Sequence, residues 1–369
     1  MSELSIALLS YSTKPRGGVV HTLALAEALA DAGQSVTVWT LGRGGDEGFF
    51  RPVDPRVRLA VVPFPDVPGE PVGPRILRSI AVLREAFCPA GYDIVHAQDC
   101  ISANAVDRCV RTVHHIDHFS TPELVACHDR AIHRPFAHVC VSGSVADELA
   151  RDFGVAATVI PNGVDAERFA IAAGPAGATD RDRWRDRFGR YVLAVGGIEP
   201  RKGSLDLLTA FALLRTDQPD LRLVIAGGET LFDYRDYRAE WERRAAELGV
   251  EPVVLGPVDH DELPALVAAA GAFAFPSTKE GFGLAAMEAL AAGVPVVARD
   301  LPVLREIFDP VARFAVDPPA LAARLGAALS DVDEQRVAVG RALAGRYTWA
   351  SAAQRHLLLY RALVMEGAH

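Results

Sequence analysis

Lysine is scarce in this sequence: of 38 basic residues only Lys14, Lys202 and Lys279 are not arginine. No apolar run approaches the roughly 18 residues of a membrane-spanning helix. The longest, Leu263 to Pro276, contains Gly271 and reads as a helix end followed by a strand. The opening residues, MSELSIALLSYS, have neither a basic leader nor a full apolar region, which argues against a secretory signal. The five cysteines (Cys88, Cys100, Cys109, Cys127, Cys140) form no CxxC pair. An odd, unspaced set of this kind fits reduced, mostly buried thiols in a cytoplasmic protein. The eleven histidines show no zinc spacing. No G-x-G-x-x-G stretch occurs, so an NAD-dependent oxidoreductase ranks last among the enzyme classes. A net charge of -9 argues against a nucleic-acid partner.

What is present is an ample core: 50% hydrophobic residues in a chain of 369, long enough for two domains. Short β-branched runs predict strands at Ser5–Leu9, Ser35–Thr40, Leu59–Val62, Asp93–His96, Val110–His114, His138–Val141 and Thr158–Ile160. Helical patterns fall between several of them. The first spans about Val19 to Ala32 and stops at Gly33, a natural glycine cap. Residues 162 to 190 break the pattern with glycine, alanine and charge. It restarts with strands at Val192–Val195, Leu221–Ala226, Val253–Leu255, Ala272–Phe275 and Pro295–Ala298, separated by helices near 204–215, 237–247 and 261–269 and by an alanine-rich helix after GFG. Asp317 before Pro318 reads as a helix N-cap, and the last helices are expected near 332–345 and 349–364. This alternation is that of parallel sheets covered on both faces. The expected architecture is α/β: two Rossmann-like domains, 1–165 and 166–348, with parallel sheets facing across a deep cleft and a C-terminal helix in 349–369. Ligands of such sheets bind beyond the carboxyl ends of the strands.

Three strand-to-helix loops carry unusual chemistry. In SYSTKPRGGVVH, Gly17 and Gly18 let backbone approach a ligand near a helix start, although a mobile loop would also use them. In VGGIEPRKGSLDLL, Arg201 and Lys202 precede a helix start, a good pyrophosphate site without a metal; a solvated basic turn is the alternative. In FPSTKEGFGLAAMEALAAG, Gly281 and Gly283 frame Phe282 and expose amides at a helix N-terminus. Glu288, inside that helix, can lean back toward its start and accept hydrogen bonds from neighbouring hydroxyls such as those of a ribose. Glu280 could bind another polyol group, unless it merely caps the helix. All three lysines fall in these loops.

The stretch KEGFGLAAMEALAAGVPVV resembles the signature of retaining glycosyltransferases of family 4, which have the two-domain GT-B fold. GGVVHTLALAEALADAGQSVTV, DIVHAQD, VIPNGVDAERF, VGGIEPRKGSLDLLTAF and VVLGPVDHDELPALVAAAGAFAFPS resemble its other blocks in the family's order. The resemblance implies that Glu288 holds the ribose of a nucleotide-sugar donor. Glu280 and the amides of Phe282, Gly283 and Leu284 would hold sugar and phosphate, while Lys202 and an arginine neutralise the diphosphate. It also implies that the last helix crosses back to the first domain. Two departures are visible. Gly197 stands where the family commonly has arginine, leaving Arg201 to supply that charge, and IAGGET replaces a Gly-x-Gly turn. Base recognition is expected from backbone groups near Val254 to Gly256.

His114, in RTVHHID, matches the family's active-site histidine and is expected to contact the sugar or reacting centre; a structural histidine at a strand end is the alternative. If the strand continues, His115 points to the opposite face. His21 and His96 could approach the same place. The D-x-D triplets at 180–182 and 331–333 lie in polar, loop-like stretches. Asp259 with Glu262 reads as an N-cap and its box partner. No metal and no resident cofactor are therefore expected. The basic amphipathic stretch GPRILRSIAVLREAF, 73–87, could dock a lipid acceptor at a membrane surface, but an ordinary half-buried helix fits the acidic chain better. The function expected is metal-independent, retaining transfer of a sugar from a nucleoside-diphosphate sugar to a small-molecule, glycan or lipid acceptor. The alternatives are an epimerase or hydrolase of the same fold, or a non-catalytic nucleotide-sugar-binding subunit.

Overall fold

The apolar runs near the start of the chain form the middle of a parallel sheet. In a computed structural model describing residues 3–117, 119, 121–227, 234–331 and 333–367, the chain divides into two units. One comprises Met1–Gly163 with Thr348–His369, the other Val164–Tyr347.

In the first unit the strands are β1 (Ser5–Leu9), β2 (Ser35–Arg43), β3 (Arg58–Phe64), β4 (Ile94–Ala97), β5 (Val110–Val113), β6 (Ala137–Cys140) and β7 (Thr158–Val159). They lie in the order β3-β2-β1-β4-β5-β6-β7, and every neighbouring pair is parallel. Ile6 of β1 sits between Val36 and Ile94 in register, all three buried. Burial on both faces explains why these runs are continuously apolar. The last helix, Trp349–Met365, adds Ala352, Ala353, Leu357, Tyr360 and Leu363 to the core around Ile6, Leu8, Leu25 and Leu29.

The second unit repeats the plan with β8 (Tyr191–Val195), β9 (Arg222–Ala226), β10 (Val253–Gly256), β11 (Ala272–Phe275), β12 (Val296–Arg299) and β13 (Arg313–Ala315). Their order is β10-β9-β8-β11-β12-β13, again parallel throughout. Its core packs Leu208, Phe211 and Leu214 of the Ser204–Arg215 helix against Val192, Leu223 and Ala274. Asp317 caps the Pro318–Ser330 helix, accepting from the Ala320 amide at 2.8 Å.

Several local expectations change. The first helix begins at Gly17, not Val19, so Gly17 and Gly18 form its first turn. Gly33 lies just past its end at φ +77°. The 162–190 stretch is mostly helical, with Ala166–Ala173 and Ala178–Phe188, because Asp165 caps the first and Trp184 and Phe188 anchor the second in the core. The D-x-D triplet at 180–182 therefore lies on a helix. Asp333 of the 331–333 triplet is a helix cap, while Val332 lies outside the described residues. Asp259 is not an N-cap: the helix is Leu263–Ala269, capped at Glu262 without a side-chain bond, because Pro264 sets the first turn further on. Strand β5 ends at Val113, so His114 and His115 lie in the bend beyond it, and His115 pairs with Asp117 at 3.1 Å. The amphipathic stretch is the half-buried helix Val72–Ala86, whose Arg78 pairs with Glu70 at 2.6 Å.

Tyr360 is fully buried, and its hydroxyl meets His96 Nδ1 at 2.6 Å, while Thr112 Oγ1 meets His96 Nε2 at 2.8 Å. Nearby, His356 Nδ1 donates to the Ala352 carbonyl at 2.8 Å. Burial holds His96 well below the usual imidazole range and lowers His356 to about 4. These groups stay neutral when folded but take up protons below about pH 6.5 when unfolded, so acid favours the unfolded chain. The unfolding free energy should fall as pH drops from 6.5 toward 4, by up to about 1.4 kcal/mol per pH unit for each such histidine, and the melting temperature with it. Calorimetric melts across this range should show a shallower slope for His356→Gln; an unchanged slope would reject the assignment.

Candidate functional site

In the second sheet β8 leads on to β9 on one side and β11 to β12 on the other. The loops after β8 and β11 therefore part from one point, where open parallel sheets bind ligands. The loop after β8 ends in a short turn, Pro200–Lys202, followed by Gly203 at φ +64°. A Cβ at Gly203 would stand 2.2 Å from the Pro276 carbonyl oxygen, so the close approach of the two loops excludes every other residue there. The loops are joined further by Thr278 N donating to Arg201 O at 2.8 Å and Arg299 Nε donating to Pro276 O at 2.9 Å. A small, open concavity lies at this point, lined in part by Gly196, Gly197, Lys202, Ser204, Pro276 and Ser277. Among its lining groups, the Ser277 hydroxyl is buried without a hydrogen-bond partner.

The side chains picked from the two loops meet. Glu280 lies 2.5 Å from Lys202 Nζ and 3.3 Å from an Arg201 guanidinium nitrogen. Arg201 also pairs with Glu199 at 2.9 Å and donates to the Lys279 carbonyl at 3.3 Å. Glu280 is thus an anion seated on two cations; it does not cap the following helix. That helix, Leu284–Ala291, starts from Gly283 at φ +95°. A Cβ there would come 3.0 Å from Phe308 and 3.2 Å from Phe275. Phe282 is buried with its ring 5.3 Å from that of Tyr347, which fixes the Gly281–Gly283 segment at the helix start.

Glu288 answers to different charges. Burial pushes its carboxyl up to about 7, opposed by Arg168 and reinforced by Asp165. Among the described residues its carboxylate makes no hydrogen bond or ion pair. Arg168, one turn into the Ala166–Ala173 helix, donates to the His260 carbonyl and comes within 3.2 Å of His260 Nδ1. Asp165 and Arg168 belong to VIPNGVDAERF; their bearing on Glu288 was not legible, because more than a hundred residues separate them from it. Glu199 was likewise missed, although it flanks the basic pair directly. Gly256 gives its carbonyl to Gly227 N at 2.8 Å. A Cβ at Gly227 would meet the Gly196 backbone at 2.2 Å, which accounts for glycine there; Gly228 to Thr230 of IAGGET lie outside the described residues.

In the first unit the His114 ring packs over the first turn of the Gly17–Asp31 helix, 3.7 Å from where a Gly18 Cβ would stand. Among the described residues its Nε2 is buried without a partner, and burial, with His115 and Arg111, lowers the ring to about 3. His21 lies edge-on at 4.7 Å and bonds Asn162 Oδ1 at 2.9 Å, with Trp349 at 5.4 Å. His96 is held by Tyr360 and Thr112 within the same aromatic cluster, which His356 completes. His356 was missed because it comes from the far end of the chain. Lys14 pairs with Asp46 at 2.9 Å. Among the described residues no three His, Cys, Asp or Glu side chains converge as metal ligands, and no helix is long and apolar enough to cross a membrane.

Residues 15–168 match the family description Glycosyltransferase Family 4, and residues 180–343 match Glycosyl transferases group 1. Across 397 aligned positions the chain is 30% identical to a phosphatidyl-myo-inositol mannosyltransferase of Mycobacterium tuberculosis, covering 97% of this chain and 96% of that protein. The chain belongs to glycosyltransferase family 4. It is also 30% identical to a D-inositol 3-phosphate glycosyltransferase of Xylanimonas cellulosilytica, with 96% of each chain covered. Among solved structures, sucrose-phosphate synthase from Thermosynechococcus elongatus matches with TM-score 0.80 at 21% identity, over 99% of this chain and 100% of that one. Anabaena HepE in complex with UDP and glucose matches with TM-score 0.74 at 21% identity, over 98% and 100%. This glycosyltransferase accordingly has the GT-B type of fold, with two parallel sheets.

Glu288 is held more easily protonated when folded than unfolded, so its burial costs stability as pH rises from about 4.5 through 7. Glu288→Gln should therefore melt higher than the parent at pH 8, by the equivalent of roughly 1–2 kcal/mol after allowance for partial solvent screening. The gap should close near pH 4.5. Equal melting at pH 8 would show that the carboxylate is not strained there.

Proposed function

We propose that this glycosyltransferase moves a sugar from a nucleoside-diphosphate sugar to an acceptor with retention at the anomeric carbon and without a metal ion. The observation that supports this reading most is the meeting of Arg201, Lys202 and Glu280 at the switch point of the second sheet. Departure of a diphosphate builds negative charge, and two cations beside the amides of Phe282, Gly283 and Leu284 are suited to stabilise it. Arg201 would do the work of an arginine at Gly197. Glu280, now paired with the cations, would yield them to the diphosphate and turn to a sugar hydroxyl. Glu288, close to half-ionised near neutrality, would accept the ribose hydroxyls. In the first unit, the unpartnered His114 Nε2 is available for one hydrogen bond to the sugar or reacting centre, beside Gly17 and Gly18. No carboxylate is assigned as a covalent nucleophile. The names of the relatives put inositol-bearing lipids and phosphates first among acceptors to try, and the UDP bound by one structural neighbour puts uridine donors first among nucleotides.

Thermal-shift screening with UDP-, GDP- and ADP-sugars should find one nucleotide series that stabilises the chain. Proton NMR of the product should show the donor's anomeric configuration retained, and turnover should persist in EDTA; loss in EDTA would sink the metal-independent reading. Glu288→Ala should collapse turnover while the protein stays folded. Glu280→Gln should separate binding from chemistry. By removing the anion that competes for Arg201 and Lys202, it should tighten nucleoside-diphosphate binding several-fold while lowering kcat by about 100-fold or more. Weaker nucleotide binding in that variant would contradict the exchange of Glu280 for phosphate.

A further inference from the structure

The first sheet has its own switch point, where β1 leads on to β2 on one side and β4 to β5 on the other. Tyr11 follows β1, Arg16 is the N-cap of the Gly17–Asp31 helix, Arg43 ends β2, and Arg75 lies in the first turn of the Val72–Ala86 helix. Arg43 stands over Tyr11 at 5.5 Å and over Phe64 at 5.4 Å, and Arg16 stands 5.7 Å from the same Tyr11 ring. Arg43 donates one hydrogen bond, to Ser79 Oγ at 3.1 Å, and that hydroxyl in turn donates to the Arg75 carbonyl at 2.7 Å.

Arg43, like the more deeply buried Arg111, carries a charge that no carboxylate meets among the described residues. Arg51, Arg56, Arg78, Arg299, Arg305 and Arg336 each make an ion pair with a carboxylate. Arg43 makes none among the described residues, although it is half-buried and its Nε is buried without a partner. A cation without a counter-ion in this setting is costly. Burial lowers its basicity first, then Arg75 and Arg16 add repulsion, with Tyr11 and the exposed Asp66 acting the other way. The other acids of this edge are engaged elsewhere: Asp46 with Thr13 and Lys14, and Asp99 with the amides of Tyr11 and Ser102. Neither the Gly17–Asp31 nor the Val72–Ala86 helix has an acidic residue in its first turn or a side-chain cap, so neither first turn supplies a negative charge to its own positive end.

We infer that Arg43, with Arg16 and Arg75, forms a second anion site that receives a phosphoryl group on the acceptor. A guanidinium set against the Tyr11 and Phe64 rings, with one hydrogen bond to Ser79 and its Nε without a partner among the described residues, has donors to spare for bidentate phosphate recognition. The inference rests on the proposed function only in assigning the bound group to the acceptor; the site itself belongs to the first unit.

Titration calorimetry of the full chain with inorganic phosphate tests it against the cations of the second unit. Lys202→Ala should still bind phosphate saturably. Arg43→Gln made in the Lys202→Ala background should weaken that binding by about 10- to 100-fold, the worth of a charge-assisted pair. Arg43→Lys and Arg75→Gln, with circular dichroism as the check on folding, keep the test open if Arg43→Gln does not fold. Loss of binding in Lys202→Ala alone, or equal binding with and without Arg43, would overturn the site. Failure of every nucleotide to bind would instead strike the proposed function and leave this result standing. Two further arms identify the source of the phosphoryl group: myo-inositol 1-phosphate in solution, and phosphatidylcholine vesicles with or without phosphatidylinositol. Arg43-dependent binding in either arm supports the site, and Arg43-independent binding in both counts against it.

Discussion

The contact on which the loops of the second unit depend is backbone against backbone, where Gly203 meets Pro276 at the fork between β8 and β11. The parallel strand order brings two loops to one point, and only a residue without Cβ lets them close together. The hydrogen bonds from Thr278 and Arg299 then hold the loops in that position. Arg201, Lys202 and Glu280 meet as a consequence, although nearly eighty residues separate the basic pair from the glutamate.

Once the loops are joined, electrostatics divides the labour. Glu280 is surrounded by cations, and Glu288 by burial and a distant arginine, so two like residues of one helix-and-loop segment have opposite surroundings. The arrangement is self-neutralising: the carboxylate of Glu280 sits directly against both cations. Such a pairing keeps both cations in position without an external anion. The first unit follows a contrasting rule at its own fork. There Arg43 has no carboxylate partner among the described residues, and rings and the Ser79 hydroxyl hold it in place.

Most of the fold was legible along the chain, because buried parallel strands are continuously apolar and the helices between them carry caps and glycine stops. Ala272–Phe275 was bounded correctly by its apolar run and flanking glycine and proline, and Asp317 by its place before a proline. The failures have local causes. The charge of 178–188 hid a helix that Trp184 and Phe188 anchor through tertiary packing, and Pro264 moved a helix start that Asp259 had seemed to mark. The Gly17-Gly18 pair, read as loop, opens a helix because the flanking apolar face packs on the sheet and outweighs glycine's helix penalty.

The residues themselves determined the family, the parallel α/β plan and the loops that carry the chemistry, since periodicity, glycine placement and ordered motifs are properties of neighbours in the chain. Only the tertiary structure decided which charges meet. It paired Glu280 with Lys202, set Arg168 and Asp165 to act on Glu288, brought His356 and Tyr360 to His96, and left Arg43 without a counter-ion. Those outcomes depend on strand order and burial, which act across hundreds of residues and leave no local pattern.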